Sequence, residues 1–285
     1  MPQDDNSPDS SSSQPLSQFG GTEQLQAASA ALTGNTVSVS PGGATFPTIA
    51  AALASITDNS LQKQYLLYVG PGTYNEQVTL KPYVYLHGAG QGQTIINCPP
   101  TQDAFQRGVV IAASNSGITG MTVNCLGGSW GAWSTALIAA GTNPFMASDV
   151  AFVSDDQGNA GVNSETVAVN WNAAGSGQQA VVYLSYCKIT SNMQSNQSVA
   201  VGIIVNGPAN ATLMECKVGA QGGSQSFGVQ SNGGANVTCD NCYAQGATMA
   251  LSIPDYNSTL IANNCQINGP VGPGVQVNND TPPSQ

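Results

Sequence analysis

Between residues 198 and 279 one pattern of apolar and polar positions comes round three times. Each pass has a short alternating apolar stretch, a Gly/Asn break, and a second stretch that ends on cysteine. The passes are Val199 to Ile203 with Leu213 to Cys216, Phe227 to Val229 with Val237 to Cys242, and Met249 to Leu251 with Leu260 to Cys265. Val275 to Val277 opens a further pass. Alternation of this kind predicts short strands with one face buried. Its return at a period of roughly 20–50 residues predicts a solenoid.

The columns can be followed upstream. Cys98, Cys125, Ser154, Cys187, Cys216, Cys242 and Cys265 read as one file, with spacings of 27, 29, 33, 29, 26 and 23. Asn97, Asn124, Asn241 and Asn264 stand one position before it, and Ile189, Val218, Ala244 and Ile267 two positions after. Rungs of a parallel stack lie about 4.7–4.9 Å apart, so like residues would sit over like. Thiols in such a file pack as small hydrophobes, and asparagines can pass hydrogen bonds along it. A metal or redox Cys-x-x-Cys at Cys239 and Cys242 is the alternative, but Cys242 already belongs to the file and no second pair faces it.

The remaining pattern divides the chain into a polar arm over 1–35, an all-β solenoid over 36–280 and a tail over 281–285. Residues 1–21 have almost nothing to bury, and by themselves should be disordered. Residues 22–33 read as a short helix with Thr22 as its cap, and 36–40 as a strand. A second helix, capped by Thr45, puts Ile49, Leu53 and Ile56 on one stripe to seal the end of the core. Strands follow over 65–69, 78–80 and 84–86. Between 108 and 190 the loops are longest and hold Trp130, Trp133, Phe145, Asp155, Asp156 and Trp171, which makes them the natural place for a site.

Three stretches carry a resemblance: Val39 to Leu53 (VSPGGATFPTIAAAL), Leu67 to Val78 (LYVGPGTYNEQV) and Leu86 to Ile96 (LHGAGQGQTII). They resemble the opening of pectin methylesterases and, more broadly, the pectin-lyase-like superfamily of right-handed parallel β-helices. The resemblance covers about sixty residues of cap and first turns. It implies a right-handed parallel β-helix with an N-terminal capping helix. It does not imply the activity, because the Gln-Asp-Thr-Leu and Asp-Phe-Ile-Phe-Gly segments of the methylesterase site have no counterpart here. Asp155-Asp156 resembles the aspartate pair of polygalacturonases on the same fold, without their histidine and basic motifs.

Composition narrows the partners. Only 7% of the 285 residues are charged, and five Lys and Arg against fifteen Asp and Glu leave a net charge of −10. So few cations cannot neutralise a phosphate backbone, which argues against nucleic acid, and an anionic membrane surface would repel the chain. No apolar run approaches the roughly 20 residues of a membrane span, and no secretory signal is visible at residues 1–5. Cysteines filed along one wall favour free thiols over disulfides.

Candidate chemistry is thin. Asp155 and Asp156 are adjacent, so on a strand they face opposite ways and cannot form a hydrolytic pair by themselves. Asp149 or Glu165 would have to join one of them. His87 has no partner base or nucleophile near it in sequence. Trp130, Trp133 and Trp171 are candidate platforms for sugar rings, with Asp155 and Asp156 as polar candidates beside them; packing of the loops against the wall is the competing explanation. No cofactor and no metal is expected. The preferred reading is a non-catalytic structural protein at a cell surface, on an appendage or on a virion. Its subunits would contact head-to-tail through their rung ends, with the N-terminal arm docking on a neighbour. A carbohydrate-binding module and a polysaccharide-active enzyme are the alternatives.

Overall fold

The computed structural model describes residues 35–42, 45–98, 108–127, 133–140, 144–158, 165–173, 180–196 and 198–279. Almost every strand in it pairs in parallel with the strand one turn before and one turn after, and together they make three walls. The result is a right-handed parallel β-helix. Wall one begins with Thr36–Val39, Tyr65–Val69 and Val84–Gly88 and ends with Asn236–Asp240, Thr259–Asn263 and Gln276–Asn278. Wall two begins with Gly72–Asn75 and Thr94–Cys98 and continues through Lys188–Met193, Lys217–Gly222, Tyr243–Gln245 and Gln266–Asn268. Two long strands, Ser116–Leu126 and Phe145–Asp155, bend from wall one into wall two and join them into one sheet. Wall three runs from Val78–Thr79 to Met249–Ser252.

The bend between walls one and two has a fixed device. One residue per turn takes a left-handed backbone there: Gly120, Asp149, Tyr186, Glu215, Asn241 and Asn264, with φ between 52° and 64°. For residues other than glycine this conformation costs roughly 1–2 kcal/mol each. The corner holds because its backbone stays paired. The N–H groups of Tyr186, Glu215, Asn241 and Asn264 donate to carbonyls of the next turn at Met214, Asp240, Asn263 and Asn278, at 2.8–2.9 Å.

The strand registers correct the single cysteine file, because two files are present. One holds Cys98, Cys125, Ser154, Ser191 and Ala220. The other, just past the corner, holds Met121, Val150, Cys187, Cys216, Cys242 and Cys265. The physical reason is the length of one turn. Val150 to Cys187, and Ser154 to Ser191, are both 37 residues apart, so the 33 separating Ser154 from Cys187 joins two columns four residues apart. The asparagine column divides likewise. Asn124 donates to Asn97 at 2.9 Å on the outside of wall two, whereas Asn241 and Asn264 are corners. The Ile189, Val218, Ala244 and Ile267 file faces inward as expected, behind Phe152, and is buried except for the partly covered Ile267.

None of the seven cysteines is in a disulfide. In the corner file each thiol donates to the carbonyl two residues earlier: Cys187 to Ser185, Cys216 to Met214, Cys242 to Asp240 and Cys265 to Asn263, at 3.3–3.4 Å. Hydrogen bonding among neighbouring thiols, and burial, push the Cys216, Cys239 and Cys265 thiols far above their ordinary range. Protonated thiols are poor nucleophiles, so Cys216 and Cys265 of the corner file, and Cys239 on wall one, serve as packing material.

The capping helix is Ile49–Ser55, with Ile49, Ala52 and Leu53 buried against the first turns. Its cap is Thr48, not the expected Thr45. The Thr48 Oγ1 accepts from the Ala51 N–H at 3.1 Å. Phe46 instead bridges in parallel to Val39, and Pro47 keeps it extended. The Glu76 carboxylate closes the same helix end by accepting from the N–H groups of Ile49 and Ala50, at 2.9 and 2.8 Å. The expected helix over 22–33 and the arm up to residue 34 lie outside the described residues.

Candidate functional site

The sequence candidates separate on the structure. Trp130 lies outside the described residues, and Trp133 opens a wall-three strand, with its side chain outside them. Trp171 and Phe145 are corrected: both lie on strands, not in loops, and are fully buried. Their rings pack 5.6 Å apart in the core, so Trp171 presents no face to a ligand. Neighbouring asparagines at 170 and 172 give Trp171 a loop-like context in sequence, but it alternates with them and points inward.

Asp156 is also buried. Its carboxylate accepts from the N–H groups of Gln194, Ser195 and Gly158, at 2.8, 3.3 and 3.3 Å, and so ties one turn to the next. Asp155 ends its strand facing outward and accepts from the Gln157 N–H at 2.8 Å. Asp149 is a corner residue whose carboxylate takes a hydrogen bond from the Gln91 amide at 2.8 Å. Burial pushes the Glu165 carboxyl up. His87 is exposed on the outside of wall one, edge-on to Tyr68 at 5.5 Å.

Of the three candidates whose side chains are described, only Asp155 stands on an open surface, and that surface is the outside of wall two. In register beside it come Asn192 and Gln221. Asn192 donates to the Asp155 carboxylate at 3.2 Å, and Gln221 donates to Asn192 at 2.7 Å, so the three side chains form a ladder across the turns. A shallow hollow of about 380 Å³ lies along it, lined also by Met193, Gln194 and Gly222. Two outward positions nearer the corner, a second file reads Ala151, Lys188, Lys217, Tyr243 and Gln266. The Tyr243 ring is steadied at its hydroxyl, which donates to Gln245 and accepts from Asn268, each at 3.0 Å. Between the two files sits Gly219, where a Cβ would meet nothing within 4 Å, so the wall dips at its centre.

Lys188, Lys217, Tyr243, Asn192 and Gln221 are not found by motif reasoning. Their one trace in the sequence is the Cys-Lys step at 187–188, which returns at 216–217. With the thiol inward, the lysine must face out.

No family model and no curated protein matches the sequence. Solved structures do. Pectin methylesterase from carrot superimposes with a TM-score of 0.58 at 14% identity, over 86% of this chain and 88% of that one. The Aspergillus niger enzyme gives 0.56 at 17%, over 88% and 87%. The fold is the parallel β-helix of the pectin methylesterases. Identities this low speak for the β-helix alone, so what this one does must be argued from its own outer surface.

Proposed function

We propose that this β-helix is a non-catalytic binding module that holds an extended glycan along the outside of wall two. The observation that carries the reading is the in-register polar surface from Asp155, Asn192 and Gln221 across to Lys188, Lys217 and Tyr243. Rungs spaced by about 4.8 Å repeat donors and acceptors along one axis, which suits a polymer with repeating hydroxyls. A steadied aromatic face beside them suits a sugar ring. No pair of carboxylates stands ready for hydrolysis among Asp149, Asp155 and Asp156, since each serves as an acceptor for a structural donor. A glycan array on the full chain tests this. Tyr243→Ala and Asn192→Ala should each weaken the leading hit about tenfold, on the scale of one lost stacking or hydrogen-bond contact. Thr212→Ala, on the outside of wall one, should leave it unchanged. A blank array, or variants that bind like the parent, would overturn the proposal.

A second reading, end-to-end assembly of copies, is favoured by the strand Gln276–Asn278. Among the described residues no strand pairs with its far edge. Val277, in register with the buried Ala262, is 39% exposed. Such an edge is a template for another chain, and unlike ends that join without closing give a thread. Electron microscopy of the full chain should then show threads, and removal of residues 1–35 should abolish them if that arm locks the joint. Isolated short rods at all concentrations would sink this reading.

A further inference from the structure

The four described cations divide into two kinds. Lys63 is paired with Asp58, and Lys81 donates to the Ile56 carbonyl past the end of the capping helix. Lys188 and Lys217 have neither an ion pair nor a side-chain hydrogen bond among the described residues. They stand directly beside each other on adjacent strands, both exposed. Like charges facing across a ladder are destabilising. In a chain with fifteen acidic residues and a net charge of −10, two lysines placed together without a carboxylate between them call for a ligand. The carboxylates on the neighbouring corners are both engaged, Asp149 by the Gln91 amide at 2.8 Å and Glu215 by the Tyr186 hydroxyl at 3.2 Å.

We infer that Lys188 and Lys217 form an anion subsite for a sulfate or phosphate ester carried on a sugar ring, with that ring lying on Tyr243. This rests on the reading of wall two as a glycan surface and gives it a substrate class. An ammonium is a compact point charge without the planar fork that matches a carboxylate two-to-two. Two of them about one rung apart can each reach a different oxygen of one tetrahedral anion. Tyr243 is the next residue of the same file after Lys217. It therefore lies one rung along the axis from the charge, where the ring bearing the ester would fall. The whole-protein charge makes the subsite selective, because a net charge of −10 repels a polyanion and the two adjacent lysines offset that repulsion locally.

The test uses four polymers on one backbone: dextran, carboxymethyl-dextran, dextran sulfate and phosphorylated dextran, titrated against the full chain at low salt. The sulfated and phosphorylated forms should bind about tenfold tighter than the other two, the combined scale of two exposed charge contacts. That advantage should shrink as salt is raised. Lys188→Gln with Lys217→Gln should erase it while leaving the melting temperature unchanged or higher. Tyr243→Ala should weaken all four polymers. The tighter of the two esters identifies the source, sulfated or phosphorylated glycan. Equal binding of carboxymethyl-dextran and dextran sulfate would overturn the tetrahedral-anion subsite, as would a double variant that keeps the preference. Binding of all four without preference overturns the subsite and leaves the wall reading intact. Silence from all four together with a blank glycan array overturns both.

Discussion

The Leu66–Tyr85 patch outside wall one and the Lys188–Lys217 patch outside wall two are built on the same kind of backbone and bear opposite surfaces. On wall one, Leu66 and Tyr85 stand in register and are 4% and 9% exposed, with Met146 packed against them. On wall two, the outward ground holds the exposed Lys188 and Lys217. Behind both walls the inward files are of one kind. Leu67, Leu86, Ile118 and Leu184 stand behind wall one; Ile96, Val123, Phe152 and Ile189 stand behind wall two. The shape is thus carried by what points in, and the outward positions are left free for chemistry. A low-identity match to an enzyme fold is compatible with that division, since a likeness of backbone carries nothing about the outward side chains.

The largest effect that could break this division comes from Phe152. It is fully buried behind wall two, so Phe152→Ala should cost about 3–5 kcal/mol through lost burial and a cavity. Thr190→Ala, outward on the adjacent strand, should fall within about 0.5 kcal/mol. Denaturant unfolding of both variants checks the pair, and comparable costs would mean that the outside of wall two is structural.

A smaller contrast lies between the two outer surfaces. Tyr85→Ala should cost about 3 kcal/mol despite facing outward, because the ring is covered, and burial also pushes its phenol above the ordinary range. Lys217→Ala should cost nothing measurable or stabilise slightly, because it separates two like charges. If both variants melt alike, the comparison of the two surfaces fails.

How much of this the sequence discloses depends on direction. Inward residues obey one rule, apolar and alternating, so Ile189, Val218, Ala244 and Ile267 can be placed from the pattern alone. Register is harder, because a short polar column matches equally well four residues away, as Ser154 does with Cys187. The strand pairing, which links Ser154 to Ser191 instead, is a long-range fact. Outward residues obey no common rule. Lys188 and Lys217 are 29 positions apart and become neighbours only when two turns stack. Trp171 fails in the other direction: its polar sequence neighbours suggest a surface, and the alternation that buries it is visible only once the strand is known.

The smallest effect concerns the corner that joins the two walls. Glu215 holds φ 52° there, and the same position one and two turns later is occupied by Asn241 and Asn264, at 53° and 52°. Asparagine tolerates the left-handed region far better than glutamate. Glu215→Asn should therefore stabilise by about 1 kcal/mol, a rise in melting temperature of about 2 °C for a chain of this size. The N–H of residue 215 keeps its bond to the Asp240 carbonyl in either case, while the exposed bond from the Tyr186 hydroxyl to the Glu215 carboxylate is lost, so the gain is the relief of backbone strain net of that one contact. Glu215→Gln is the control, because it removes the charge and keeps the strained side-chain type. If Gln stabilises as much as Asn, charge rather than conformation governs the corner. If Asn241→Glu costs nothing, the corner does not discriminate between residues, and the two walls are held at their angle by the inward files alone.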